Sequence, residues 1–223
     1  MINNDFDKFA LSRGIGSNTL NEYNKYNFKS SYINPTIMEE RQMNVTQMDI
    51  FSRLQMDRIL FLGTEINADV ANIITAQMLW LEQQNDSDIQ IYINSPGGEV
   101  YSGLQIVDCM NFIRPDISTT CLGMSASMAA VIFSNGSKDK RYIIPHGRFM
   151  IHQPIGGTGR AQASDIEIVA NEINKLKNEL YTILSDNSNL SFDEIAKKSD
   201  RDCWLTAQET IDFGFADKLI INK

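Results

Sequence analysis

The sequence predicts an α/β fold organised on a parallel sheet, and three observations carry that expectation. From Ile59 onward, short apolar runs alternate with stretches of helical periodicity. Gly- and Pro-containing clusters such as Ser95-Pro96-Gly97-Gly98 separate the two kinds of segment. Later helices open on Ser/Thr-x-x-Glu boxes. A strand, helix, strand, helix order requires crossover connections, and crossovers make neighbouring strands parallel.

Taken in order, Ile59 to Leu62 reads as a buried strand. A helix follows with Val70, Ile73, Ile74, Gln77, Met78 and Leu81 on one side. Ile89 to Asn94 is a second strand, and a helix through Leu104, Val107 and Met110 succeeds the glycine pair. Ile117 to Cys121 is a third strand, and a helix runs from Ser127 to an end near Gly136. Arg141–Ile144 and Arg148–Gln153 are strands on either side of a Pro145-His146-Gly147 turn. Ser164 to Glu167 has the spelling of a capping box, in which hydroxyl and carboxylate satisfy free N–H groups reciprocally. The stripe behind it (Ile166, Ala170, Ile173, Leu176, Leu180, Ile183) is spaced close to a heptad, a pattern that often packs on another subunit. Ser191–Glu194 and Thr206–Glu209 are further boxes. Before the first strand, Ile37 to Gln47 is polar and reads as a loop. Residues 1–33, rich in Asn, Ser, Tyr and Lys, read as an N-terminal extension or propeptide, leaving 34–223 as a single domain.

Composition excludes several classes of function. With 223 residues, 43% hydrophobic and 22% charged, the chain has the makeup of a globular domain. A formal net charge of −8 repels phosphate backbones, so nucleic acid is not an expected partner. No apolar run approaches the ~20 residues of a bilayer span. The N-terminus lacks the pattern of a secretory or transit peptide, so a cytoplasmic location is expected. Three cysteines without a C-x-x-C pair fit a reduced compartment, and two histidines without H-E-x-x-H leave no metal motif. No cofactor is expected.

The chemistry concentrates where small residues meet a helix start. Gly123-Met124-Ser125-Ala126-Ser127-Met128 lies between a strand and a helix, where free N–H groups and the dipole stabilise developing negative charge. Ser125 or Ser127 can be a nucleophile there, but a plain helix cap is the commoner role for a serine at that place. Gly97 and Gly98 can expose backbone donors for an oxyanion or form an ordinary turn. His152 ends an apolar strand, whereas His146 sits in a Pro-His-Gly turn. Histidine is the base best matched to neutral pH. Asp165, Asp193, Asp200, Asp202 and Asp212 are all candidates to orient it, and spacing does not choose among them.

Together, Tyr92-Ile93-Asn94-Ser95-Pro96-Gly97-Gly98, Ser125-Ala126-Ser127-Met128-Ala129-Ala130 and Met150-Ile151-His152-Gln153-Pro154 resemble the proteolytic subunits of the Clp proteases, in order and in spacing, from about Pro35 to Leu219. The resemblance implies a crotonase-like fold of repeated β-β-α units with a protruding strand-helix handle at about 148–186. It implies Ser127 as nucleophile, His152 as base, Asp202 as the orienting carboxylate, and the N–H groups of Gly98 and Met128 as oxyanion donors. By the same resemblance, two stacked heptameric rings enclose unfolded protein substrates fed by a AAA+ Clp unfoldase, which consumes the ATP. Leu79, Trp80, Tyr92 and Phe112 would form the apolar cleft where that partner docks, and Gly156-Gly157-Thr158-Gly159 would be an extended strand beside substrate. The stretch after Gly156 is one residue longer than the family's usual pattern, and residues 1–33 show no clear family counterpart. A catalytically silent ring subunit and a crotonase-type acyl-CoA enzyme are the rival readings.

Overall fold

The computed structural model describes residues 36–41 and 44–221. Expectations about residues 1–33 lie outside the described residues. The chain divides into two units at Ile50/Phe51. In the first, β1 (Thr36–Arg41) pairs antiparallel with β2 (Asn44–Asp49), Thr36 facing Asp49 and Arg41 facing Asn44. The segment expected to be a loop is therefore a hairpin. Its Thr, Ile and Val residues suit strands, and local β-propensity outweighs the polar composition.

The second unit holds α1 (Ile50–Met56, begun at the boundary), β3 (Ile59–Leu62), α2 (Ala68–Gln84), β4 (Ile89–Ser95), α3 (Val100–Phe112) and β5 (Ile117–Ala126). There follow α4 (Met128–Ser134), β6 (Arg141–Ile143), β7 (Arg148–Ile151), α5 (Ala163–Asp186), α6 (Phe192–Lys198), β8 (Cys203–Thr206), α7 (Ala207–Asp212) and β9 (Lys218–Leu219). Strands β3-β4-β5-β6-β9 run side by side and parallel, as the alternating pattern predicts. β5 also pairs with β7, and β7 pairs antiparallel with β8. Residues 117–121 of β5 are buried without alternation, the mark of a strand covered on both faces.

Local chemistry explains most boundaries. Asn67 caps α2, its side chain accepting the Val70 N–H at 3.0 Å. The inner face of α2 is Ala71, Ile74, Met78 and Leu81, while Ile73, expected inside, is exposed. Adjacent helical residues point about 100° apart, so Ile73 and Ile74 cannot share one narrow face. The boxes at Ser191–Glu194 and Thr206–Glu209 both form reciprocally. The box at Ser164–Glu167 does not. The helix begins at Ala163, two residues ahead of the start that a Ser164 cap would set and the residue type of highest helix propensity, and places Ser164 inside the first turn. At its other end Leu180, Tyr181 and Leu184 are buried, whereas Ile166 and Ile168 stand exposed. The C-terminal part of α5 thus belongs to the core, while its N-terminal part leaves an apolar edge at Ile166 and Ala170, one turn apart, uncovered, with Ile168 on the opposite side. Among the described residues no helix is long and apolar enough to cross a membrane.

One buried ion pair ties the far side of the sheet together. Arg141, at the start of β6, donates to both carboxylate oxygens of Asp217 at 2.7 and 3.0 Å, and to the carbonyls of Ser134 and Asn187. Burial alone would raise the Asp217 carboxyl, but the Arg141 hydrogen bonds and charge hold it below the usual carboxylate range. Asp217→Ala should cost about 3 kcal/mol at neutral pH, because it strands the buried guanidinium. A carboxyl with a lowered folded-state pKa stabilises the fold above its unfolded value, about 3.9, and loses that contribution as pH falls through the folded value. Denaturant unfolding of wild type and variant should therefore differ at neutral pH and converge in strong acid.

Candidate active site

The site is made by an irregularity in the sheet. Ile93 faces Cys121 and Ser95 faces Ser125, so two residue steps on β4 stand against four on β5. The extra residues form a bulge, a device that often re-aims a strand beside a functional site. Asn94 staples it: its side-chain oxygen accepts the Met124 N–H at 3.1 Å and lies against Gly123, where any Cβ would stand 2.5 Å away. Across the bulge β5 exchanges β6 for β7 as its partner, and Met124–Ala126 run beside Arg148–Met150. The Ser127 N–H then donates to the Met150 carbonyl at 2.9 Å.

Ser127 sits at the turn from β5 into α4 with φ 55° and ψ −125°, a conformation costly for a residue with a side chain. It makes no side-chain cap to the helix. Instead its Oγ lies 2.7 Å from His152 Nε2. Ser125, the other serine considered, is fully buried in β5, where no substrate carbonyl can reach it.

The placement of His152 and Asp202 follows from one strand pairing. β7 and β8 are antiparallel with Ile151 facing Cys203, so one further step in that register sets His152 opposite Asp202. His152 Nδ1 is 3.3 Å from Asp202 Oδ1, with the histidine side chain largely covered and the aspartate 62% exposed. Asp200 takes a different role, its carbonyl accepting from the Gln153 side chain at 3.1 Å. His146 lies exposed in its turn.

Two backbone N–H groups next to the serine turn are left unused by their own elements. Ile66 bridges Gly98 in parallel fashion, using the Gly97 carbonyl and the Glu99 N–H, which leaves the Gly98 N–H directed to the opposite side. Met128 is the first residue of α4, so its N–H has no partner within the helix. Gly97 adopts φ +93° and lies directly against the serine turn: a Cβ there would be 2.6 Å from the Ala126 carbonyl oxygen and 2.7 Å from Ser127 Cβ. Ser95 holds the turn, donating to the Thr64 carbonyl at 2.6 Å and accepting the Gly97 N–H at 3.2 Å.

Two cavities share Val100, Ser127, His152 and Pro154. One is apolar and runs inward past Val131, Ile151, Leu180 and Leu184. The other is an open groove past Glu65, Pro96, Gly97, Gly98 and Ile155. The segment Gly156-Gly157-Thr158-Gly159, expected as an extended strand, pairs with no strand among the described residues. Glycine runs have low strand propensity, and Gly156 lies instead against Ile173 of α5. Away from the site, Leu79, Trp80 and Phe112 expose apolar surface, and Tyr92 on β4 is half-buried, its ring tilted against Phe61 with centroids 6.0 Å apart. The sequence pattern assigns no chemical role to Asn94, Ser95 or Glu65. The first two act through backbone groups that only the bulge and the turn bring within reach.

The Clp protease family model matches residues 40–223. A Bacteroides fragilis protein named "ATP-dependent Clp protease proteolytic subunit" is 53% identical over 98% of this chain and 99% of its own length. Proteins of the same name from Porphyromonas gingivalis (51% identical, 97% of each chain) and Lactococcus lactis (45% identical, 86% of this chain and 97% of its own) are similar as well. The Bacteroides match covers nearly the whole chain, so the leading residues, expected to lack a counterpart, have one in that relative.

Gly97→Ala should displace the serine turn, since the new methyl overlaps backbone that cannot yield easily. Peptide hydrolysis is expected to fall by at least ~10²-fold, as small misplacements at a reacting centre do, while far-ultraviolet circular dichroism stays native.

Proposed function

The chain belongs to the Clp protease family, and from that premise we propose that it is a serine endopeptidase in which Ser127, His152 and Asp202 act as one unit. The observation that carries this reading is the unbroken line of short contacts from Ser127 Oγ through the imidazole to Asp202. Ser127 Oγ attacks the peptide carbonyl as His152 Nε2 removes its proton; the proton then passes to the leaving amine. Water repeats the sequence on the acyl-enzyme. Asp202 accepts the Nδ1–H, which keeps Nε2 free as the acceptor and stabilises the imidazolium. The N–H groups of Gly98 and Met128 receive the oxyanion. The apolar cavity beside Ser127 takes a hydrophobic side chain next to the scissile bond.

This reading extends to assembly. The exposed apolar edge of α5 supports its role as a handle between two stacked heptameric rings, which would enclose the site. Leu79, Trp80, Tyr92 and Phe112 form the docking cleft for a AAA+ Clp unfoldase, the partner that consumes ATP and delivers unfolded protein. Residues 1–33 are an extension or propeptide on the domain 34–223, and the assembly works in the cytoplasm. A silent ring subunit is disfavoured by the 2.7 Å serine–histidine contact. A crotonase-type acyl-CoA enzyme has no need of that contact.

Ser127→Ala should abolish peptide hydrolysis by the assembled protein while Ser125→Ala retains it, with both eluting at the same size in light-scattering chromatography. Full activity in Ser127→Ala would refute the assignment. Asp202→Asn should lower kcat by at least ~10²-fold through loss of imidazole orientation.

A further inference from the structure

Glu65 stands on the rim of the groove that also holds Ser127 and His152. It follows β3 and precedes Ile66, whose bridge to Gly98 fixes the backbone at this point. Its side chain is exposed, and among the described residues it has no hydrogen-bond or ion-pair partner. The other residues lining the groove are Pro96, Gly97, Gly98, Val100, Met150, Pro154 and Ile155, none of them ionisable. The apolar cavity adds none beyond His152. The groove therefore carries a single unpaired anion among its lining residues, in the same groove as Ser127 and His152, with no Lys or Arg lining it. Two further carboxylates flank the site and both are engaged: Asp202 with His152, and Glu99, between the lining residues Gly98 and Val100, with the Ser102 hydroxyl.

From this we infer that Glu65 is a specificity-determining residue, selecting substrates that carry Lys or Arg near the residue filling the apolar cavity and rejecting those with Asp or Glu there. The inference rests on the reading of Ser127 and His152 as the hydrolytic pair. A peptide lying across Ser127 must put one side chain into the apolar cavity and run its neighbours along the groove past Glu65. A cation there gains a partly shielded ion pair, and an anion meets repulsion of similar size, so the two contributions add in the ratio of rates. Because the carboxylate is solvent-facing, the preference is graded and weakens with salt.

The test uses full-length assembled protein and internally quenched peptides of one sequence, with Leu fixed and each flanking position set in turn to Lys, Gln or Glu. At low salt, wild type should cleave the Lys peptide over the Glu peptide by about fivefold or more in kcat/KM at one or more positions. That ratio should shrink as NaCl is added. Glu65→Gln should bring it within about twofold, and Glu65→Lys should invert it. If wild type shows no Lys-over-Glu preference at any position, or if Glu65→Gln retains it, the inference is overturned. The Gln peptide separates the two levels of the account. Its cleavage with an unmoved Lys-to-Glu ratio removes Glu65 alone. Its resistance to wild type removes the reading of Ser127 and this inference with it.

Discussion

The structure turns on the backbone of a single residue. Ser127 is held at φ 55° and ψ −125°, a conformation that costs of order 1–3 kcal/mol for a residue with a side chain. The surroundings over-determine it. Its N–H is fixed to the Met150 carbonyl, its helix is anchored by Met128 lying over Gly103, and Gly97 presses against it where no side chain would fit. The β4–β5 bulge, stapled by Asn94, brings the strand to this point at the correct angle. Strain here has a chemical return: the sharp turn lifts Oγ out of the sheet toward His152 and leaves the Met128 N–H unspent.

The same turn brings together elements that are distant in the chain. β7 supplies both the carbonyl that fixes Ser127 and, at its end, the histidine that reaches its hydroxyl. β8, antiparallel to β7, delivers Asp202 by register alone. β4 contributes the glycine pair through a tight turn held by Ser95. Four segments are thus positioned by backbone hydrogen bonds of one sheet, a more rigid support than loops give. The exposed edge of α5 and the open groove face outward from this core, where assembly and substrate would meet it.

Much of this was legible in the sequence, and the exceptions have physical causes. The strand at Ile59–Leu62 was readable at both ends because its residues are apolar and bounded by turn formers. The apolar run from Ile117 predicts a strand that ends at Cys121, yet the strand continues to Ala126. Gly123 and Ser125 look like loop residues, and it is the pairing of Ser125 with Ser95 on β4 and of Met124–Ala126 with β7 that carries the strand past them. Ser164 has the spelling of a cap, but capping depends on backbone angles at one residue, and the helix had already begun at Ala163. The local pattern left Ser127 indistinguishable from a helix cap, and resemblance to a family selected it. Asp202 could not be chosen from five aspartates by spacing, since its position depends on a strand register that composition does not encode.

The most direct measurement of the central claim is the site of a covalent adduct. The assembled protein would be treated with a peptide phosphonate, a reagent that bonds to a serine only where base and oxyanion donors are already aligned, and digested for peptide mapping by mass spectrometry. The account predicts one adduct per chain, on Ser127, with none on Ser125. An adduct on any other serine, or none on a protein that hydrolyses peptides, would contradict it.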